Sequence, residues 1–222
     1  MLQLRDVTVR IGELSILRSL SLEAPAGSIV GLVGRNGAGK TTTLKSVMGL
    51  VPVAAGEVIF HGQDLTRLPS HRRAALGIGY MPEDRRLVTS LTAEENMLLP
   101  LWAQGDREGS ERLDQVYSLM PELKPLAGRK ASQLSGGQQK LVALGRSLLC
   151  GRRLLLLDEP MEGVSPALSA RMAEVVRAYQ REQPELIVLV AESDVSRINL
   201  LTDMVYTIER GEIVGNSRPA PR

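Results

Sequence analysis

Short apolar runs alternate with longer amphipathic stretches along most of the chain, and the alternation predicts strands and helices in turn. Leu2, Leu4, Val7 and Val9 mark a β-rich opening run, and residues 14–22 form a second. Residues 28–33 are a short β-branched run closed by Gly34, the pattern of a buried strand. A glycine-rich turn follows, then a helix over 41–50 that Pro52 stops. Residues 57–60 and 78–81 read as further short strands.

From about 83 to 150 the apolar spacing becomes helical. Thr92 and Glu95 have the spacing of a capping box ahead of the run 96–103. Residues 105–109 read as a surface loop, and 111–120 as a helix ended by Pro121. Ser135 opens a helix to about 149. Then come a strand (154–157), a helix (167–181), a strand (186–190), a short helix (195–201) and a hairpin (205–214) turning near Arg210 and Gly211. The polar tail, 216–222, is expected to fray. Strands and helices in alternation predict an α/β core on a mostly parallel sheet. Residues 84–150 are expected to be a helical insertion in a single domain over 1–222.

Composition narrows the function classes. The chain has 222 residues, enough for one good core. Its net charge of only +2 argues against a nucleic-acid binder. Arg72 with Arg73, Arg85 with Arg86, and Arg152 with Arg153 read as solvated surface. The single cysteine, Cys150, precludes an internal disulfide and ends an apolar run, so it is expected to be a buried small hydrophobe. The first residues lack the long apolar region of a signal peptide. No apolar run approaches the roughly twenty residues a spanning helix needs. A soluble chain is expected, with any membrane role supplied through a partner.

Two segments carry recognisable chemistry. Gly34, Arg35, Asn36, Gly37, Ala38, Gly39, Lys40 and Thr41 fit the G-x-x-x-x-G-K-[ST] phosphate loop in full, and Thr42 follows. Backbone N–H groups of such a loop form an anion nest, and the next helix adds its positive N-terminus. Lys40 would place its charge on the β- and γ-phosphates, and the Thr41 hydroxyl would ligate Mg²⁺. The second segment is an apolar strand ending in Asp158, Glu159 and Pro160. Such a strand delivers its last residues to the crevice where ligands bind. Asp158 can hold Mg²⁺ through water, and Glu159 can orient or deprotonate an attacking water.

A third segment is ambiguous by itself. Leu134, Ser135, Gly136, Gly137, Gln138 and Gln139 precede a helix, which alone reads as a capped terminus with flexible glycines. In order behind a phosphate loop, and ahead of the Asp-Glu-Pro strand, it makes the whole chain resemble the ABC ATPase family. That resemblance implies a P-loop NTPase core with a parallel sheet, an antiparallel β subdomain and an inserted helical subdomain. It implies ATP and Mg²⁺ as cofactors, with the metal near Thr41, Asp158 and Glu83. It further implies two nucleotide domains meeting head to tail, so that Ser135, Gly136, Gly137 and Gln138 serve ATP held by the partner. Residues 34–45, 77–86 and 91–96 are similar to the LivF-type subunit of branched-chain amino acid importers, and 162–166 also to the urea-importer subunit. The resemblance therefore implies a peripheral subunit on the cytoplasmic membrane face, energising import through transmembrane permeases. The segment 83–102 would touch those permeases.

Four positions depart from the general family pattern. Glu83 stands for the lid-sensing Gln, and Ile11 for the aromatic that stacks on adenine. Ser165 replaces the Asp of the loop crossing to the partner, and Ser193 the switch His. A serine cannot bring the charge a histidine can. These substitutions lead to the expectation of a non-identical, LivG-type partner subunit and two unequal ATP sites.

Overall fold

Residues 1–105, 109–202 and 204–217 are described by this computed structural model. The chain opens with β1 (Leu2–Ile11), β2 (Leu14–Ala24) and β3 (Ile29–Val33), then α1 (Lys40–Met48), β4 (Ala55–Phe60), β5 (Gln63–Asp64), α2 (Ser70–Ala75) and β6 (Ile78–Met81). A helical block follows: α3 (Ala93–Ala103), α4 (Ser110–Leu119), two short 3₁₀ segments and α5 (Gly136–Cys150). The chain then returns through β7 (Leu154–Asp158), α6 (Pro166–Glu182), β8 (Ile187–Glu192), α7 (Val195–Ile198), β9 (Met204–Glu209) and β10 (Glu212–Ser217).

Two sheets result. The larger runs β10-β9-β3-β8-β7-β6; all its neighbours are parallel except the β10–β9 hairpin at one edge. The smaller is antiparallel, ordered β2-β1-β4-β5. Every residue of β3, β7 and β8 is buried, which is why these strands read as continuous apolar runs rather than alternations. Their period of two still sorts them between two cores. Leu155, Leu157, Val188 and Val190 join the helical side with α5 and α6. Leu154, Leu156, Ile187 and Leu189 join the side covered by α1 and the antiparallel sheet. In β1 the buried set Leu2, Leu4, Val7, Val9 changes phase once. The register slips between Leu4 and Val7, where Asp6 takes a positive φ of 49°, so a bulge keeps both halves facing the core.

One arginine departs from the surface reading. Arg73 is 2% exposed. Its Nη1 donates to the Ser46 and Val47 carbonyls at 2.8 Å each, Nε to Leu68 O at 2.7 Å and Nη2 to Thr66 O at 3.1 Å. Two of those carbonyls belong to the last turn of α1, which has no following turn to accept from. The guanidinium fork closes that helix end and ties it to the loop before α2. Arg73→Ala is expected to cost about 2–4 kcal/mol in urea unfolding, with Arg73→Lys recovering only part, because an ammonium cannot span four carbonyls.

The other differences are at element ends. The hairpin continues to Ser217, with Asn216 opposite Tyr206 and Ser217 opposite Val205, so the first two residues of the polar tail belong to the sheet edge. The rest of that tail, 218–222, and residues 106–108 of the expected loop lie outside the described residues. α7 proper has four residues, and turns carry on to Leu201. Cys150 is buried, and burial pushes its thiol up to about 11. Among the described residues no helix is long and apolar enough to cross a membrane.

Candidate nucleotide site

The loop 34–39 leaves the C-terminal end of β3 and enters α1. Two of its glycines are fixed by geometry. A Cβ on Gly34 would lie 2.4 Å from the Ile208 carbonyl, and Gly39 sits at φ 114°. Gly39 also occupies the N-cap of α1, where no side chain caps the helix and no acid lies in its first turn. The first N–H groups of a helix have no partner within it, which makes this end a place for an anion.

The carboxylates arrive from the same end of the sheet. β8 lies between β3 and β7, so the last residues of all three strands meet. The Thr41 hydroxyl donates to Asp158 Oδ1 at 3.0 Å, and the Tyr80 hydroxyl to Asp158 Oδ2 at 3.1 Å. Lys40 is 5% exposed; its Nζ donates to Gly34 O at 2.8 Å and lies 3.0 Å from Glu159 Oε1. The other Glu159 oxygen accepts from the Ser193 hydroxyl at 3.1 Å and the Ser193 N–H at 3.3 Å. Glu159 itself has φ 48°, an unusual backbone for a glutamate.

A cleft of about 430 Å³ opens here. It is lined by Asn36, Gly37, Gly39, Lys40, Thr41 and Thr42, together with Ile16, Glu83, Glu159 and Glu162. The phosphate loop, Glu83 and Glu159 are thus brought together as the sequence suggested. Asp158 lies just beneath, fully buried, through Thr41. Arg35 and Ala38 do not line the cleft and close the loop turn, where the Ala38 N–H donates to Arg35 O at 3.0 Å. Ile11 is 56% exposed and absent from the lining; Ile16 on β2 is the aliphatic residue at this cleft. A larger cleft, about 880 Å³, lies near Arg112, Arg152 and Tyr179 and shares no residue with it.

The segment 134–139 expected to serve the partner's nucleotide, here called the signature, is elsewhere on the surface. Ser135 caps α5: its Oγ accepts from the Gln138 N–H at 3.3 Å, and Gln138 Oε1 accepts from the Ser135 N–H at 3.0 Å. Ser135 and Gly136 are exposed, with Gly137 and Gln138 half-buried. None of the four lines this chain's own cleft. Ser165 caps α6 by accepting from the Leu168 N–H at 3.3 Å.

Negative charge is in surplus. Burial raises the Asp158 carboxyl above its usual range, Glu83 and Glu159 push the same way, and the Thr41 and Tyr80 hydroxyls oppose. Among the described residues no three acidic, histidine or cysteine side chains cluster as a metal cage by themselves. A Thr hydroxyl and one buried carboxylate, with excess negative charge around them, suit a Mg²⁺ that draws its remaining oxygens from phosphate and water.

Sequence reasoning passed over Tyr80, Glu162 and Glu192. Glu192 ends β8 fully buried; burial pushes its carboxyl up to about 7, against the Met161 N–H that it accepts at 2.8 Å. A carboxyl raised on folding favours the folded state when protonated, so that share of stability is present below pH 4.5 and is lost as pH rises to about 7. Glu192→Gln is expected to flatten the pH dependence of the melting temperature across that window.

A strand, a glycine loop on a helix N-terminus and a buried Asp-Glu pair at the end of the next strand but one in the same sheet define a nucleoside triphosphatase. The family model described as ABC transporter matches residues 17–162. The chain is 34% identical over 214 residues to the high-affinity branched-chain amino acid transport ATP-binding protein BraG of Pseudomonas aeruginosa, covering 96% of this chain and 91% of the relative. It is 32% identical over 206 residues to the lipopolysaccharide export system ATP-binding protein LptB of Escherichia coli, covering 92% and 85%. A dimeric ATP-binding cassette in a post-hydrolysis state with ADP and Pi shares the fold, with a TM-score of 0.88, 24% identity and full coverage of both chains. The chain belongs to the ABC transporter family, as an ATP-binding subunit that hydrolyses ATP.

Proposed function

We propose that this chain powers an importer of branched-chain amino acids or similar small solutes, at the cytoplasmic membrane face, beside a non-identical LivG-type nucleotide subunit. The observation that carries its chemistry is the buried Lys40–Glu159 pair, 3.0 Å apart at the mouth of the phosphate loop. A γ-phosphate entering the loop competes for Lys40, and Glu159 is released toward the attacking water. Ser193 keeps hold of the second carboxylate oxygen, so the released group stays aimed. Asp158 and Thr41 would hold Mg²⁺, which would neutralise phosphate charge when bound.

The signature segment, exposed and capped at the start of α5, serves the nucleotide of the partner. Glu83 and Ser193 stand in this chain's own site and Ser165 in the crossing loop, which supports unequal sites. The membrane contact falls on a groove of about 320 Å³ that includes Leu50, Tyr80, Arg86, Val88 and Pro100, beside the exposed Trp102. Arg86, Val88 and Pro100 of this groove fall within segment 83–102, which supports that reading, and the Tyr80 hydroxyl links the groove to Asp158.

Co-purification of the chain with its native partners, followed by leucine uptake into proteoliposomes, tests the reading. Uptake that needs ATP and Glu159, in a complex holding a second, different ATPase, is the expected result. A homodimer with brisk cooperative turnover overturns the unequal-site part. The likeness to LptB favours a second reading, an exporter's ATPase; ATP-dependent extraction of a lipid with no leucine uptake would establish that instead.

A further inference from the structure

The catalytic carboxylate is aimed by a backbone that does not hold itself. Glu159 lies in the left-handed region at φ 48°, a conformation that a glutamate keeps only when its surroundings impose it. Three ties surround it. Its own N–H donates to the Ala191 carbonyl on β8 at 2.9 Å. Its carbonyl accepts from Lys140 Nζ at 2.6 Å. Two residues on, the Met161 N–H donates to Glu192 Oε1 at 2.8 Å.

Lys140 and Glu192 are buried, at 3% and 0% exposure, and neither lines the nucleotide cleft. A lysine so deep is costly. Burial lowers its pKa, and the charges of Glu192, Glu162 and Glu159 offset that effect. The main-chain carbonyl of Glu159 is the partner of its ammonium, so the lysine serves the backbone of the catalytic residue rather than any substrate.

Its place in the chain matters as much. Lys140 lies on α5, four residues beyond Gly136, which is about one helical turn from the exposed signature end. A helix transmits displacement at one end to a side chain one turn along. We infer that Lys140, through its hydrogen bond to the Glu159 carbonyl, is a positioning residue through which engagement of the signature segment with the partner's nucleotide sets the aim of Glu159 in this chain's own site. This rests on the proposed function in taking the signature to act on the partner's ATP. The arrangement would let each site report its occupancy to the other through one helix and one hydrogen bond.

Lys140→Met in the complex with the partner subunit is the test, with Lys140→Gln as a second variant that keeps a donor and is smaller. Turnover should fall on the order of ten- to a hundredfold in Lys140→Met, because a small misplacement of a catalytic group is enough for that loss. The KM for ATP and the ATP affinity of the isolated chain should stay at the parent values, and the Hill coefficient for ATP should fall toward one. Lys140→Gln should recover part of the rate. Parent-like turnover and cooperativity in Lys140→Met overturn the inference. So does an equal loss of ATP affinity and turnover in both variants, the mark of a merely structural lysine. If the parent complex itself does not hydrolyse ATP, the proposed function falls instead, and the two failures are distinguished in one assay.

Discussion

Glu159→Gln is expected to bind ATP more tightly than the parent while turning it over on the order of a hundred- to ten-thousandfold more slowly. The two effects have separate causes. Loss of turnover follows from removing the carboxylate that touches both Lys40 of the phosphate loop and Ser193. Gain of affinity follows from the ion pair: with the amide in place, Lys40 no longer holds an anionic neighbour at 3.0 Å that the γ-phosphate must displace. Titration with a fluorescent ATP analogue on the isolated chain measures the second effect without dimer formation. Unchanged or weaker binding would mean that the pair does not compete with nucleotide.

Lys40→Ala should have a double cost. ATP affinity should fall about ten- to a hundredfold, since a charge-assisted contact of about 1.5–3 kcal/mol is removed. The nucleotide-free protein should also lose about 3–5 kcal/mol, because Glu159 would be left buried without its cation. Pairing the change with Glu159→Gln should restore most of the stability and none of the affinity, and this cycle separates the folding role of Lys40 from its phosphate role. Equal stability of Lys40→Ala and parent in urea would contradict the ion pair.

What could be read from the sequence was whatever lay in short range. β3, β7 and β8 announce themselves because both faces are buried and every position is apolar. The phosphate loop is legible because its chemistry is contiguous. The capping box at Thr92 follows from a three-residue spacing, and the structure has both of its bonds. Arg73 was misread because its burial depends on carbonyls 26 and 27 positions upstream, which no local pattern contains. Glu192 and Lys140 look like ordinary surface charges for the same reason: their partners sit 31 and 19 residues away. β5 has two residues and α2 six, too few for a period to show. Ile16 rather than Ile11 at the cleft depends on how the β1–β2 hairpin lies over the loop, a matter of tertiary placement.

The lone thiol has a practical corollary. Cys150 is 8% exposed at the far end of α5 from the exposed signature, and its raised pKa keeps the thiolate scarce near neutral pH. The native chain therefore offers maleimide reagents little to attack. A single cysteine introduced at an exposed position beside the signature, such as Ser132, could carry a fluorophore with low background. The closing and opening of the ATPase pair could then be followed in real time without first stripping the protein of its own cysteine.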